Sequence, residues 1–319
     1  MQASSDSRTG TAAGFKVVQI QTQSRCNGRC AMCPYGEASA TQPQGVMSEA
    51  LFARVVDGLA AYRAVHSVCL MLQNEPLLDP HLSDRVRYAR ERLPNVDLTV
   101  VTNGQLLTRR RVDELAAAGL SVIQFSLNAL TRETFARVAA GLDFDAVWAN
   151  LWALADDPPA GVHVIVRMCV MRENEAEITS AEAVLDVITP LRRRGIGVTM
   201  LPVMDRAGSL DMRAHGALRR DLDASLRRSR CPYLFDHLNV LFDGTVVACC
   251  QDWRRESVLG SLARQTIAEA WSSPEADRRR RAALAGAYGD VTPCATCDLA
   301  DTFARTLEGS SADSPESVG

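Results

Sequence analysis

The sequence predicts an α/β protein, a partial barrel of six βα units followed by a small cysteine-bearing C-terminal module. Six short β-branched runs alternate with six amphipathic stretches, a three-cysteine loop follows the first run, and after about residue 205 the pattern gives way to a hairpin flanked by cysteines. Strand–helix alternation implies parallel strands joined by right-handed crossovers. Active residues should then gather at the carboxyl ends of the strands, where the three-cysteine loop also falls.

The strand candidates are residues 17–21, 68–72, 98–102, 122–127, 162–170 and 196–202. Helical patterns lie between them at 49–62, 82–92, 109–117, 132–139, 144–154 and 176–193. Residues 1–14 are polar and lack an apolar signal segment; they read as a disordered N-terminus, and 15–205 as the barrel. The charged stretch 206–229 reads as a connection, 230–308 as the C-terminal module, and the Ser-rich residues 309–319 as a disordered tail.

At 319 residues, with 47% apolar and 23% charged residues, the chain has room for one large domain and a smaller one. A formal net charge of −3 argues against nucleic acid or an anionic membrane as partner and mildly favours a cationic substrate. No run approaches the length of a membrane span, so the expected location is the cytoplasm. Ten cysteines without a secretion signal then read as metal ligands or reactive thiols.

Cys26, Cys30 and Cys33 stand in the segment Arg25-Cys-Asn-Gly-Arg-Cys-Ala-Met-Cys-Pro34. Their spacing places three thiolates on one tight loop, enough to hold three irons of a 4Fe–4S cluster and leave the fourth open for chemistry. Ferredoxin-like runs fill every iron, and structural zinc sites want four ligands. Further along come Cys231, the hairpin Leu241-Phe-Asp-Gly-Thr-Val-Val-Ala-Cys249-Cys250, and Cys294-Ala-Thr-Cys297. Asp243-Gly244 between apolar runs is a hairpin signal. Four thiolates converging there would close a second 4Fe–4S cluster, or a tetrathiolate zinc site. Arg278 to Arg281 reads as a solvated helix face, and the five histidines show no metal spacing.

The Cys-x3-Cys-x2-Cys loop resembles that of the radical S-adenosylmethionine (SAM) enzymes, and further segments match in order along residues 16–305. Gln73-Asn74-Glu75-Pro76 resembles the family's Gly-Gly-Glu-Pro segment, with both glycines replaced. Thr102-Asn103-Gly104 and Ser126-Leu127-Asn128 resemble its Thr-Asn-Gly and Ser-x-Asp strand ends. The resemblance implies an open six-unit barrel, two 4Fe–4S clusters and SAM, with Cys26, Cys30 and Cys33 holding the first cluster. It assigns Glu75 to the methionyl ammonium, and Asn74, Asn103, Ser126 and Arg137 to other SAM contacts. The C-terminal pattern resembles the twitch module, the shortened SPASM-type auxiliary domain, with Cys231, Cys250, Cys294 and Cys297 as its ligands. A flavodoxin or ferredoxin would supply electrons.

Seven ligands leave Cys69, Cys169 and one member of the Cys249–Cys250 pair. Cys69 and Cys169 lie in apolar strands and read as core residues. A spare thiol beside a cluster ligand has a use, because its weak S–H bond can give a hydrogen atom to a carbon radical. An epimerase needs that step; a radical dehydrogenase does not. The chain therefore resembles the radical SAM epimerases of aminoglycoside biosynthesis, of the neomycin C to neomycin B type, which implies Cys249 as donor and Cys250 as ligand. Counting a Gly and four residues from Gly244 makes Cys249 the ligand instead, and spacing alone does not decide. The other expectations are a dehydrogenase that oxidises an aminocyclitol or amino-sugar alcohol, and a non-enzymatic iron–sulfur electron carrier.

Overall fold

A computed structural model describes residues 14–215 and 231–298. The expected disorder at 1–13 and 309–319, and most of the connection 206–229, lie outside the described residues.

Among the described residues, eleven strands form two sheets: β1 (Val17–Ile20), β2 (Arg29–Cys30), β3 (Ser67–Cys69), β4 (Asp97–Thr102), β5 (Val122–Ser126), β6 (Ala139–Ala140), β7 (His163–Val170), β8 (Gly197–Pro202), β9 (His237–Val240), β10 (Thr245–Val247) and β11 (Val258–Ser261). The main sheet has the order β11-β10-β9-β1-β3-β4-β5-β7-β8. Six of its parallel strands, β1, β3, β4, β5, β7 and β8, are the six sequence runs, and helices cross between them. The expected partial barrel is therefore present as an α/β sheet with helices over its outer face.

Helices form where a cap and an apolar stripe coincide. Ser48 accepts from the Leu51 N–H and opens Glu49–Leu59, which buries Phe52, Val55, Val56 and Leu59. Leu82–Arg92 forms without a side-chain cap, while Thr108, Thr131 and Asp143 cap later crossovers as Ser48 does. On the sheet, Val18, Val68, Leu98, Val100, Ile123, Phe125 and Val166 face these helices at 1% exposure or less. Period-two alternation sends Cys69, Thr99, Gln124, Ser126, Arg167 and Cys169 to the inner face. There Arg167 donates to Gln124 Oε1 at 2.6 Å.

Three differences from the sequence reading stand out. The 176–193 helix is three pieces, Glu175–Ile178, the π-helical Ala183–Ile188 and Thr189–Arg193, with Pro190 inside the last. The hairpin does not form a separate sheet: β9 pairs parallel to β1, so the C-terminal module extends the barrel sheet at its first strand. The basic run 278–281 is not a solvated face, because Arg279 and Arg280 are buried and only Arg278 and Arg281 point outward. Arg280 stacks over the Trp271 ring at 3.9 Å and donates to the Leu234 and Trp271 carbonyls, contacts that offset part of the cost of its burial.

Candidate active site

The three-cysteine loop leaves β1 and is held by a two-stranded sheet in which Cys30 pairs with Ala139 and Arg29 with Ala140. The Ala31 N–H bonds the Val138 carbonyl at 2.9 Å and the Cys33 N–H bonds the Cys30 carbonyl at 3.0 Å. Burial pushes the Cys26 thiol up to about 12, with the Glu75 charge adding to it and the Gly28 N–H opposing it. Burial likewise raises Cys30 and Cys33; Cys33 adds to the rise of Cys26 and Cys30, and Cys26 to that of Cys30. Three crowded, desolvated thiols are poor thiolates unless a strong positive charge sits among them, and an iron–sulfur cluster supplies that charge. The donor set fits the group.

Glu75 lies beside this loop, 2% exposed. Its carboxylate accepts from Thr102 Oγ1 at 2.7 Å, the Asn103 N–H at 2.8 Å and the Leu77 N–H at 3.0 Å. Burial pushes it up to about 7 despite these three donors. A buried carboxylate so placed favours a cation, and an ammonium group would restore its charge. Gln23 fixes the segment, donating to the Glu75 carbonyl at 2.6 Å and the Arg25 carbonyl at 2.9 Å. Buried Arg85 and Asp79, paired at 2.9 Å, anchor its far end.

The structure brings several other sequence candidates to this point. Asn103 Nδ2 donates to Asn27 Oδ1 on the cysteine loop at 2.8 Å, and Asn74 Oδ1 accepts from the Leu72 N–H at 2.9 Å. Gly104 has a φ of +81°, and a Cβ there would lie 2.1 Å from the Phe125 ring, so the Thr-Asn-Gly turn requires glycine. Ser126 ends β5 directly opposite Arg167. Arg137 stands apart from the Glu75 cluster, half-exposed and bonded to Glu133 at 2.9 Å and Thr134 at 3.1 Å.

In the C-terminal module Cys231 starts the helix Pro232–Asp236, Cys249 and Cys250 follow β10, and Cys294 and Cys297 flank a tight turn. Burial pushes Cys231 up to about 12, with Cys294 and Cys250 adding to it. The pair is asymmetric. A hydrogen bond to Cys250 raises Cys249, whereas the bond from Cys249 and the nearby Arg206 charge lower Cys250. Buried Arg279, held by Glu275 at 2.7 Å, counters the burial that raises Cys294. Its position could have been inferred only from the helical spacing that turns it inward.

A family model described as the radical SAM superfamily matches residues 20–185. The chain belongs to the radical SAM superfamily. A second model, an iron–sulfur cluster-binding SPASM domain, matches residues 231–298, so the protein carries a SAM-binding 4Fe–4S centre and an auxiliary iron–sulfur module. The S-adenosyl-L-methionine-dependent 2-deoxy-scyllo-inosamine dehydrogenase of Niallia circulans is 21% identical over 89% of this chain and 93% of its own. Among solved structures, BtrN in complex with AdoMet and 2-DOIA superposes with a TM-score of 0.61 at 19% identity, covering 89% of this chain and 93% of that one. Streptococcus suis SuiB bound to precursor peptide SuiA gives 0.64 at 12% identity, covering 91% and 71%. These structural likenesses establish the fold. Among the described residues no helix is long and apolar enough to cross a membrane.

Proposed function

We propose that this radical SAM enzyme is an epimerase that inverts a C–H stereocentre of an aminoglycoside amino sugar. The observation that carries the reading is the Cys249–Cys250 pair, two half-buried neighbouring thiols where the auxiliary site calls for one. In this reading Cys26, Cys30 and Cys33 hold the first cluster, and Cys231, Cys250, Cys294 and Cys297 the second. When bound, the first cluster, given one electron by the external flavodoxin or ferredoxin, would cleave SAM to methionine and a 5′-deoxyadenosyl radical, which would take the hydrogen atom of the substrate C–H and leave as 5′-deoxyadenosine. Glu75 holds the methionyl ammonium by a charge-assisted hydrogen bond, and Asn74, Asn103 and Ser126 make the other SAM contacts. The inner face of the partial barrel keeps water from the radical. Cys249 transfers its thiol hydrogen to the opposite face of the substrate radical, forming C–H and breaking S–H. One electron from the flavodoxin or ferredoxin and one proton from solvent then return the thiyl sulfur to a thiol.

A dehydrogenase that oxidises an aminocyclitol or amino-sugar alcohol is the second reading, supported by the relationship to the 2-deoxy-scyllo-inosamine dehydrogenase over most of both chains. Incubating the reconstituted enzyme with SAM, a reductant and candidate aminoglycosides, neomycin C among them, separates the two. The epimerase reading predicts a product isomeric with its substrate. A ketone, lighter by two hydrogens, would overturn it in favour of the dehydrogenase.

A further inference from the structure

Among the described residues, the non-glycine positions with positive φ are Gln73 at 59°, Arg206 at 53°, Ala207 at 54° and Arg255 at 57°. Left-handed backbone disfavours residues with a Cβ and persists where surrounding contacts demand it. At Gln73 and Arg206 the contacts that demand it cross from the barrel to one short segment, the turn that carries Cys249 and Cys250.

Gln73 stands where the resembling motif has glycine. Its Nε2 reaches across to donate to the Cys250 carbonyl at 3.0 Å and to the Asp252 carbonyl at 3.1 Å. Asp252 is itself the organiser of that turn. It is 1% exposed, and its carboxylate accepts from the Glu256 N–H at 3.0 Å, the Ser257 N–H at 2.7 Å and Ser257 Oγ at 2.6 Å.

Arg206 approaches from the other side. The Asp205 carboxylate accepts from the Ala207 and Gly208 N–H groups at 3.0 and 3.1 Å, bending the chain so that the Arg206 guanidinium enters the seam. There its Nε donates to the Met32 carbonyl of the cysteine loop at 3.2 Å, and Nη1 to Gln251 Oε1 at 3.1 Å.

We propose that Gln73 and Arg206 are positioning residues that clamp the Cys249–Asp252 turn between the SAM-binding segment and the first cysteine loop. The clamp sets the register in which a thiol of that turn meets the substrate carbon. The second half of the proposal rests on the epimerase reading; the first does not.

The test compares Gln73→Gly, Gln73→Met and the wild type as reconstituted holoenzymes. Glycine accepts the left-handed backbone and lacks the amide, while Met keeps the length and lacks the donors. Hydrogen exchange read by mass spectrometry should show amides 249–257 exchanging about tenfold faster or more in both variants. Iron content should stay at the wild-type level, and 5′-deoxyadenosine formed per inverted product should rise severalfold. Wild-type exchange in Gln73→Gly, whatever Met does, would overturn the clamp and leave Gln73 a strained loop residue. Faster exchange with an unchanged ratio would confine the clamp to structure and overturn its role in hydrogen return. Should the wild type yield a ketone, the epimerase reading fails while the exchange comparison still decides the clamp.

Discussion

Glu75 shows how burial tunes a single carboxyl in the proposed SAM site. Its carboxyl stands at about 7, above the usual 4.5, because burial outweighs three hydrogen bonds. Without SAM the folded protein therefore binds a proton more readily there than the unfolded chain. Its stabilising contribution is full below 4.5 and is lost as pH rises to about 7. SAM affinity should run the opposite way, rising with pH to about 7 and then levelling, because only the ionised carboxylate pairs with the ammonium. Isothermal titration across this range checks it. Glu75→Gln should flatten the profile and weaken SAM binding roughly 10- to 150-fold, the equivalent of about 1.5–3 kcal/mol. A Gln variant with wild-type affinity would remove Glu75 from the ammonium site.

The strand ends carry the site because each is locked by a turn that only certain residues can make. Gly104→Ala would place a methyl group against the fully buried Phe125 ring and force a disfavoured backbone angle. We expect a loss of about 2–5 kcal/mol, seen as a lowered thermal midpoint, together with weakened SAM binding as the Asn103 N–H moves from Glu75. The six parallel strands and the Thr-Asn-Gly and Glu75 segments were legible in the sequence, because alternation and strand-end motifs are local signals. The placement of β9 against β1 was not, since a Asp-Gly hairpin fixes its own two arms and says nothing of the edge they join. Two-residue strands such as β2 and β6 carry no period at all. Arg279 was hidden in a charge run, and Gln73 read as a lost glycine although its side chain has a partner of its own.

At the scale of the whole molecule, the barrel and the auxiliary module share one sheet, and the seam between them brings the SAM segment to the cysteine pair. Two complete cysteine sets predict about eight irons per chain, and changing Cys26, Cys30 and Cys33 together to Ala should leave about four, by iron and sulfide analysis with Mössbauer spectroscopy. Zinc in the remaining site would contradict the assignment of Cys231, Cys294 and Cys297. The most direct test of the central claim follows the hydrogen itself. In deuterium oxide the exchangeable Cys249 thiol carries deuterium, so wild-type enzyme should place one deuterium at the inverted carbon. Cys249→Ala should keep both clusters and cleave SAM yet form no epimer. An epimer without solvent deuterium, or one formed by Cys249→Ala at the wild-type rate, would contradict the account.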